Sequence, residues 1–95
     1  METRVAVLSI IVENGTSTED INSLLSEAGK YIVGRMGIPY REKNINIICV
    51  AIDAPQDVIS SLAGKIGRLK GVTTKTAYSN VITKEKELSD KGVSA

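Results

Sequence analysis

Two kinds of hydrophobic pattern alternate along these 95 residues, and their order restricts the possible folds more than any single residue does. Residues 4–13 are rich in β-branched side chains and favour a strand, whereas residues 16–28 place apolar residues at helical spacing. Strands are also predicted at 30–40, 46–53 and 72–81, with a second helix that has Pro55 in its first turn. The order β-α-β-β-α-β predicts an α+β fold, a ferredoxin-like βαββαβ sandwich with one antiparallel sheet and two helices on one face.

Capping residues set the predicted start and end of the first helix. Thr16 with Glu19, or Ser17 with Asp20, has the spacing of a capping box, and Gly29 suits the end of the helix. The apolar stripes that should face the sheet are Ile21, Leu24, Leu25 and Ala28 in the first helix, and Val58, Ile59, Leu62, Ala63 and Ile66 in the second.

The first and third predicted strands are apolar on both faces, which two helices on one side of a sheet do not explain. In residues 4–13, Val5, Val7 and Ile11 alternate with Leu8 and Ile10. The uncovered face would expose an apolar patch of roughly several hundred Å². At about 25 cal/mol per Å², covering it is favourable by several kcal/mol before the cost of association. We therefore expect a homo-oligomer, a dimer or a tetramer, most simply a two-fold dimer with sheets paired face to face or edge to edge.

The composition excludes several classes of function. The chain has no His, Phe or Trp, one Cys and three Tyr, and its net charge is +1. No nucleophile–base pair is evident, so we predict no catalytic residues, and no metal site or cofactor is expected. Cys49, in the middle of a strongly apolar strand, suits a core or an interface. The few aromatic residues argue against a sheet that stacks nucleic-acid bases.

Length and hydropathy predict one domain, at residues 1–81, followed by a polar C-terminal tail at 82–95. The longest apolar stretch, at 45–52, is far too short to span a bilayer, and no signal-peptide pattern follows Met1. We therefore expect a cytoplasmic protein without a membrane partner.

Residues 34–41 (GRMGIPYR) are unusual for a strand. Glycines allow a backbone or a ligand to approach closely, and Arg35 and Arg41 are suited to binding anions. The alternative interpretation is a bent edge strand with solvated arginines. The GxxG pattern at 64–67 resembles an RNA-binding loop, but it is followed by a strand rather than a helix, so a basic helix end is the simpler interpretation.

The chain resembles the iron-only hydrogenase system regulators, a family of small bacterial proteins with an ACT-like, ferredoxin-like fold. The resemblance covers about residues 1–81 and depends on residues 1–13 (METRVAVLSIIVE), 34–41, and Gly67-Arg68-Leu69 with Gly71-Val72. It implies a regulatory role. The family is itself similar to ACT domains and to the ligand-binding domain of the nickel-responsive repressor.

These similarities imply where a ligand would bind. ACT domains commonly bind small ligands, often amino acids, at subunit interfaces near the loop after the first strand, where Asn14 and Gly15 lie here. The nickel repressor uses His and Cys ligands, so the absence of His argues against nickel sensing. We also expect no separate N-terminal DNA-binding ribbon, which argues against direct repression.

The sequence therefore predicts a non-catalytic regulatory domain that oligomerises and either senses a small ligand or docks a protein partner. The alternative is a nucleic-acid-binding transcriptional regulator whose oligomer would contact phosphates through Arg35, Arg41, Lys65, Arg68 and Lys70. The predicted ligand-binding residues are Asn14, Gly15, Arg35, Met36, Tyr40 and Tyr78.

Overall fold

The computed structural model describes residues 2–83, and the order of its strands and helices is the predicted one. Short 3₁₀ turns at Gly29–Tyr31 and Arg41–Lys43 lead into the second and third strands. The main elements are β1 (Thr3–Glu13), α1 (Thr18–Glu27), β2 (Ile32–Tyr40), β3 (Ile45–Ala54), α2 (Gln56–Gly67) and β4 (Val72–Thr83).

The four strands form one antiparallel sheet in the order β2-β3-β1-β4. The two most apolar strands, β1 and β3, are central, and β2 and β4 are the edges. This arrangement confirms the predicted ferredoxin-like sandwich. One irregularity interrupts each edge: a register shift after Ile32 in β2, and another where β4 passes Arg4 and Ala6 of β1.

The core lies between the helices and one face of the sheet. Strand β1 alternates strictly along residues 5–13, with buried even-numbered residues such as Leu8 and Ile10 and exposed odd-numbered ones. From the helices, Ile21 of α1 and Ile59 and Ile66 of α2 are fully buried against these strands. The predicted apolar stripes therefore do face the sheet, with Leu24, Val58 and Ala63 at the edge of the core.

The predicted capping boxes do not form. Ser17 occupies the N-cap of α1, but its side chain makes no capping hydrogen bond. Instead the buried Ser17 hydroxyl donates to the carbonyl oxygen of Lys70, 2.8 Å away in the loop before β4. A tertiary contact thus replaces the local one, because the loop before β4 passes directly beside the start of α1. Pro55 likewise lies one position earlier than predicted, at the N-cap of α2 rather than in its first turn.

Two strand boundaries differ from the predicted ones by two residues, whereas those of β1 and β3 differ by at most one. Strand β2 begins at Ile32 because Gly29–Tyr31 turn as a 3₁₀ helix, and β4 continues past position 81 to Thr83. The remainder of the predicted tail lies outside the described residues. Neither described helix has the length and apolar character needed to cross a membrane.

Candidate functional site: the open face of the sheet

The side of the sheet that faces away from both helices is here called the open face. Strand pairing arranges its side chains in rows that cross the sheet from β2 to β4. The small row is Gly34, Ala51, Val7 and Ala77; the middle row is Met36, Cys49, Ser9 and Lys75; and the isoleucine row is Ile38, Ile47, Ile11 and Thr73.

Apolar side chains dominate the open face and remain in contact with solvent. Val7 and Ile11 are each 40% exposed, Ile38 is 45% exposed and Met36 is 55% exposed. Cys49 is half-buried among them. A sheet with one solvated face normally alternates apolar and polar residues. The predicted uncovered apolar patch is therefore present in the isolated chain.

Charged residues are confined to the margins of the open face. Lys75, on the edge strand β4, is the charged residue of the three rows, while Asp53 and Glu13 lie beyond them along β3 and β1. One carboxylate oxygen of Asp53 is shielded from water and has no hydrogen-bond partner among residues 2–83. An apolar centre with charges at its rim is the usual anatomy of a protein interface.

A shallow hollow of about 290 Å³ lies on the open face. Its lining includes three residues of the small row, Val7, Gly34 and Ala51, and two of the middle row, Met36 and Cys49. The hollow follows from the sequence, because the glycine and alanine of the small row leave space, whereas the isoleucine row on the other side of the middle row carries large side chains. The open face is therefore uneven, with a depression beside a ridge.

At one end of the sheet, three chain turns are joined; this region is called the turn end. Asn14, Gly15, Asn44 and Gly71 all have positive φ there, between 55° and 74°. The Asn14 amide donates to the Asn44 carbonyl oxygen at 2.9 Å, and the Asn44 side-chain amide donates to Oδ1 of Asn14 at 3.0 Å. The Glu13 amide donates to the Gly71 carbonyl oxygen at 2.8 Å. These bonds tie the loops before α1, β3 and β4 together.

Three of the predicted site residues lie at or near the turn end. Asn14 and Gly15 form the turn after β1, and the Gly15 carbonyl oxygen accepts bonds from both the amide and the hydroxyl of Thr18. Tyr40 ends β2 opposite Ile45, and its hydroxyl donates to Glu42 at 3.3 Å. Asn44 was not among the predicted site residues. An asparagine directly before a strand was the available signal for its left-handed turn.

The other three predicted residues lie elsewhere in the chain. Met36 is on the open face, whereas Arg35 points to the helix side of β2 and donates to Oδ1 of Asn22 in α1 at 2.8 Å. Tyr78 pairs with Ala6 toward the opposite end of the sheet and is also on the helix side. Within one chain, the six predicted residues therefore do not form a single pocket.

The surroundings of Tyr78 give it a structural role. Its hydroxyl accepts a hydrogen bond from Nε2 of Gln56 at 3.0 Å, and the Arg4 guanidinium lies 4.8 Å from the centre of its ring. Arg4 in turn donates to Oε1 of Gln56 and to the Ser79 carbonyl oxygen. This network joins the start of α2 to β1 and β4 at the point where the register between these two strands shifts.

A groove of about 300 Å³ lies between the two helices and was not predicted. Leu24, Ala28 and Leu62 line it, with Glu27 and Lys65 of opposite charge among its other lining residues. Its signal in the sequence was weak, because the groove depends on how far apart the helices lie rather than on any motif.

The basic residues of the nucleic-acid alternative are only partly brought together. Lys65 and Arg68, near the end of α2, line one hollow together with Asp20 of α1. Arg35 is on the edge strand β2, and Arg41 is in the turn after it. Within residues 2–83, no three His, Cys, Asp or Glu side chains are grouped as metal ligands.

Comparison with known proteins identifies the family. The model of the TM1266-like family, described as proposed iron-only hydrogenase system regulators, matches residues 4–76. The chain belongs to this family. The uncharacterized protein TM1266 from Thermotoga maritima, whose structure is solved, is 35% identical to this chain. The TM-score is 0.77 over 80% of this chain and 96% of that one. The resemblance inferred from the sequence is thus confirmed.

More distant structures share the fold alone. Apo CPII from Thiomonas intermedia K12, a nitrogen regulatory PII-like protein, is 17% identical, with a TM-score of 0.59 over 88% of this chain and 98% of that one. A formyltetrahydrofolate deformylase from Pseudomonas putida KT2440 is 18% identical, with a TM-score of 0.60 over 81% of this chain and 29% of that one. A search of curated proteins finds no match.

Proposed function

We propose that this member of the TM1266-like family is a non-catalytic regulatory domain that dimerises through its open face and responds to a small ligand or a protein partner. The observation that best supports dimerisation is the group of partly exposed apolar side chains on the open face, which no described element covers: Val7, Ile11, Met36 and Ile38. Covering such a surface removes apolar area from water, which favours association.

Face-to-face pairing explains the open face better than edge-to-edge pairing does. Pairing through the edge strand β2 would extend the sheet but leave the apolar rows of both copies in water. Strand β2 also has features that oppose edge pairing, namely a register shift after Ile32 and Pro39 near its end. A dimer that buries the open face satisfies the larger hydrophobic requirement.

Regulation rather than catalysis is supported by the chemistry of the described side chains. The chain has no His, and in the described structure no hydrogen bond joins Ser61 of the groove between the helices to the neighbouring Asp57 or Lys65. The family description itself proposes regulation. A nucleic-acid role has weaker support, because the net charge is +1 and Arg35 is separated from the Lys65–Arg68 pair.

The ligand residues predicted from the sequence are Asn14, Gly15, Arg35, Met36, Tyr40 and Tyr78. Because they do not share one pocket within a chain, the proposed ligand site is at Arg35, on the helix side of β2 beside α1. Arg35 is the most direct candidate for an anionic group, since it is exposed and bonded only to a neutral amide in the described structure. A ligand bound there would contact the edge strand β2 and α1 together, and so would sense their relative position.

A thermal-shift screen tests the ligand-sensing function. The probes are amino acids, divalent metals and small anions, together with ADP, AMP and bicarbonate because the fold neighbour CPII was solved with these three. A ligand at a hundred times its Kd adds about 2.7 kcal/mol of stability. That corresponds to a rise in Tm of roughly ten degrees or more for a domain of this size.

The matched variants are Arg35→Ala and Arg68→Ala, both of which replace exposed arginines. We expect Arg35→Ala to lose the ligand-induced shift and Arg68→Ala to keep it, with the dimer intact in both. An unchanged shift in Arg35→Ala would show that the ligand site is wrongly assigned. A screen without any shift would contradict small-ligand sensing and leave partner docking as the regulatory mode.

A further inference from the structure

We propose that the two open faces meet about a two-fold axis that runs along the middle row, so that the isoleucine row of each copy fills the hollow over the small row of the other. This inference rests on the proposed dimer and specifies its geometry. In this geometry, each row of the open face packs against a row of the second copy.

Two simple axes can bring the open face against a second copy. An axis along the middle row, across the strands, places each strand over its own counterpart and exchanges the small row with the isoleucine row. An axis parallel to the strands keeps each row over itself and exchanges β3 with β1 and β2 with β4. The two arrangements bury the same residues but pair them differently.

The shapes of the rows favour the axis along the middle row. That axis sets Ile38 over Gly34 and Ile47 over Ala51 of the second copy, so large side chains enter the hollow of about 290 Å³. The other axis sets Ile47 against Ile11, ridge on ridge, and leaves the two hollows facing each other. Unfilled space of that kind forfeits the contacts that a close-packed interface needs.

The area of the face is sufficient for a stable dimer. Four strands about 4.8 Å apart and about ten residues long cover roughly 600 Å² per copy. Both copies together would bury about 1,200 Å², the lower limit for specific, stable interfaces. The hollow therefore matters, because an interface of this size has little area to lose to a void.

Residues of the middle row lie on the proposed two-fold axis, so each faces the same residue of the second copy, and their side chains are compatible with this. Cys49 and Met36 are compact or flexible apolar side chains that pack well against their own copies. Lys75 is exposed on the edge strand β4, where its long side chain can direct the ammonium into water from either copy. No unpaired charge is thereby buried at the centre of the interface.

An exchange of large and small side chains tests the axis. Under the proposed geometry, Ile47→Ala leaves a void over Ala51 of the second copy, and Ala51→Ile makes a clash with Ile47. The variant with both changes restores one large and one small side chain to each contact. Positions 47 and 51 lie about 13 Å apart along one strand, so they should not couple within a chain.

Sedimentation equilibrium of the full chain gives the dimer Kd for the wild type, the two single variants and the double variant. We expect each single change to weaken the dimer at least about tenfold, and the double variant to return to within about threefold of wild type. Additive losses in the double variant would overturn this axis while leaving the dimer itself standing. A monomeric wild type would overturn the self-association on which both proposals rest.

A second exchange at the sheet edge covers the case in which Ile47→Ala does not fold. Ile38→Ala and Gly34→Val form the equivalent pair on β2, where a Cβ at position 34 meets nothing within 4 Å. Circular dichroism confirms folding of each variant. The double variant is again expected to recover the Kd, and its failure to recover would count against the axis in the same way.

Discussion

Replacement of Gly71 by alanine tests how the turn end is held together. Gly71 has φ +74°, a conformation that costs a residue with a Cβ about 1–2 kcal/mol. An added Cβ would also lie 3.2 Å from the carbonyl oxygen of Glu13. This oxygen is in the same peptide plane as the Asn14 amide, so moving it would disturb the hydrogen bond from Asn14 to the Asn44 carbonyl. The less flexible unfolded chain of the alanine variant returns about 0.4–1 kcal/mol.

We therefore expect Gly71→Ala to lower the free energy of unfolding by about 1–2 kcal/mol, or the Tm by roughly 5–15 °C. The matched control is Gly29→Ala, where φ is not positive and a Cβ meets nothing within 4 Å. That change should be neutral or slightly stabilising. Urea denaturation measures the free energy of unfolding of both variants. One fixed protein concentration is used, so that dimerisation contributes equally to the two values.

Gly71→Asn separates the two causes. Asparagine tolerates the left-handed conformation better than alanine, but its Cβ makes the same contact with Glu13. Stability close to wild type would assign the cost to φ, and stability close to Gly71→Ala would assign it to the contact. If Gly71→Ala itself matches wild type in the urea titration, the turn end does not constrain this glycine and the reasoning fails.

Two other substitutions have expected outcomes. Ser17→Ala should lower the free energy of unfolding by about 1–2 kcal/mol, because it removes a buried 2.8 Å hydrogen bond to Lys70. The control Thr16→Ala removes an exposed 3.4 Å bond and should change the free energy of unfolding by less than about 0.5 kcal/mol in the same urea titration. Equal losses in the two variants would contradict the tertiary role of Ser17. Arg35→Ala should leave the sedimentation coefficient and the Tm unchanged, because the Arg35 bond to a helix amide is exposed; a fall in Tm of more than a few degrees would make Arg35 a structural residue.

The fold was predictable because its signals are periodic and strong. In β1, residues such as Leu8 and Ile10 alternate with Val7 and Ile11, and both sets are apolar, which predicted a strand with one apolar face left uncovered by the helices. The helices were predictable from apolar spacing alone. These properties belong to neighbouring residues along the chain, so the sequence displays them directly.

The structure of the turn end was less predictable because it depends on residues far apart in sequence. Ser17 looked like a helix cap, since its type and spacing fit one, but the nearby Lys70 carbonyl takes its hydrogen bond. The pairing of Asn14 with Asn44 likewise depends on the sheet order. The orientation of Arg35 toward the helices follows from strand register, which a strand with two glycines specifies weakly.

The central claim, that the open face joins two copies, is tested most directly by sedimentation equilibrium of the wild type beside Val7→Lys and Val33→Lys. Val7 lies in the small row and is 40% exposed, whereas Val33 lies at the β2 register shift, outside the three rows, and is 71% exposed. We expect a wild-type dimer, an unchanged dimer for Val33→Lys, and a folded monomer for Val7→Lys, because two unpaired ammonium groups would be buried in the interface. A Val7→Lys variant that dimerises as tightly as the wild type would contradict the account.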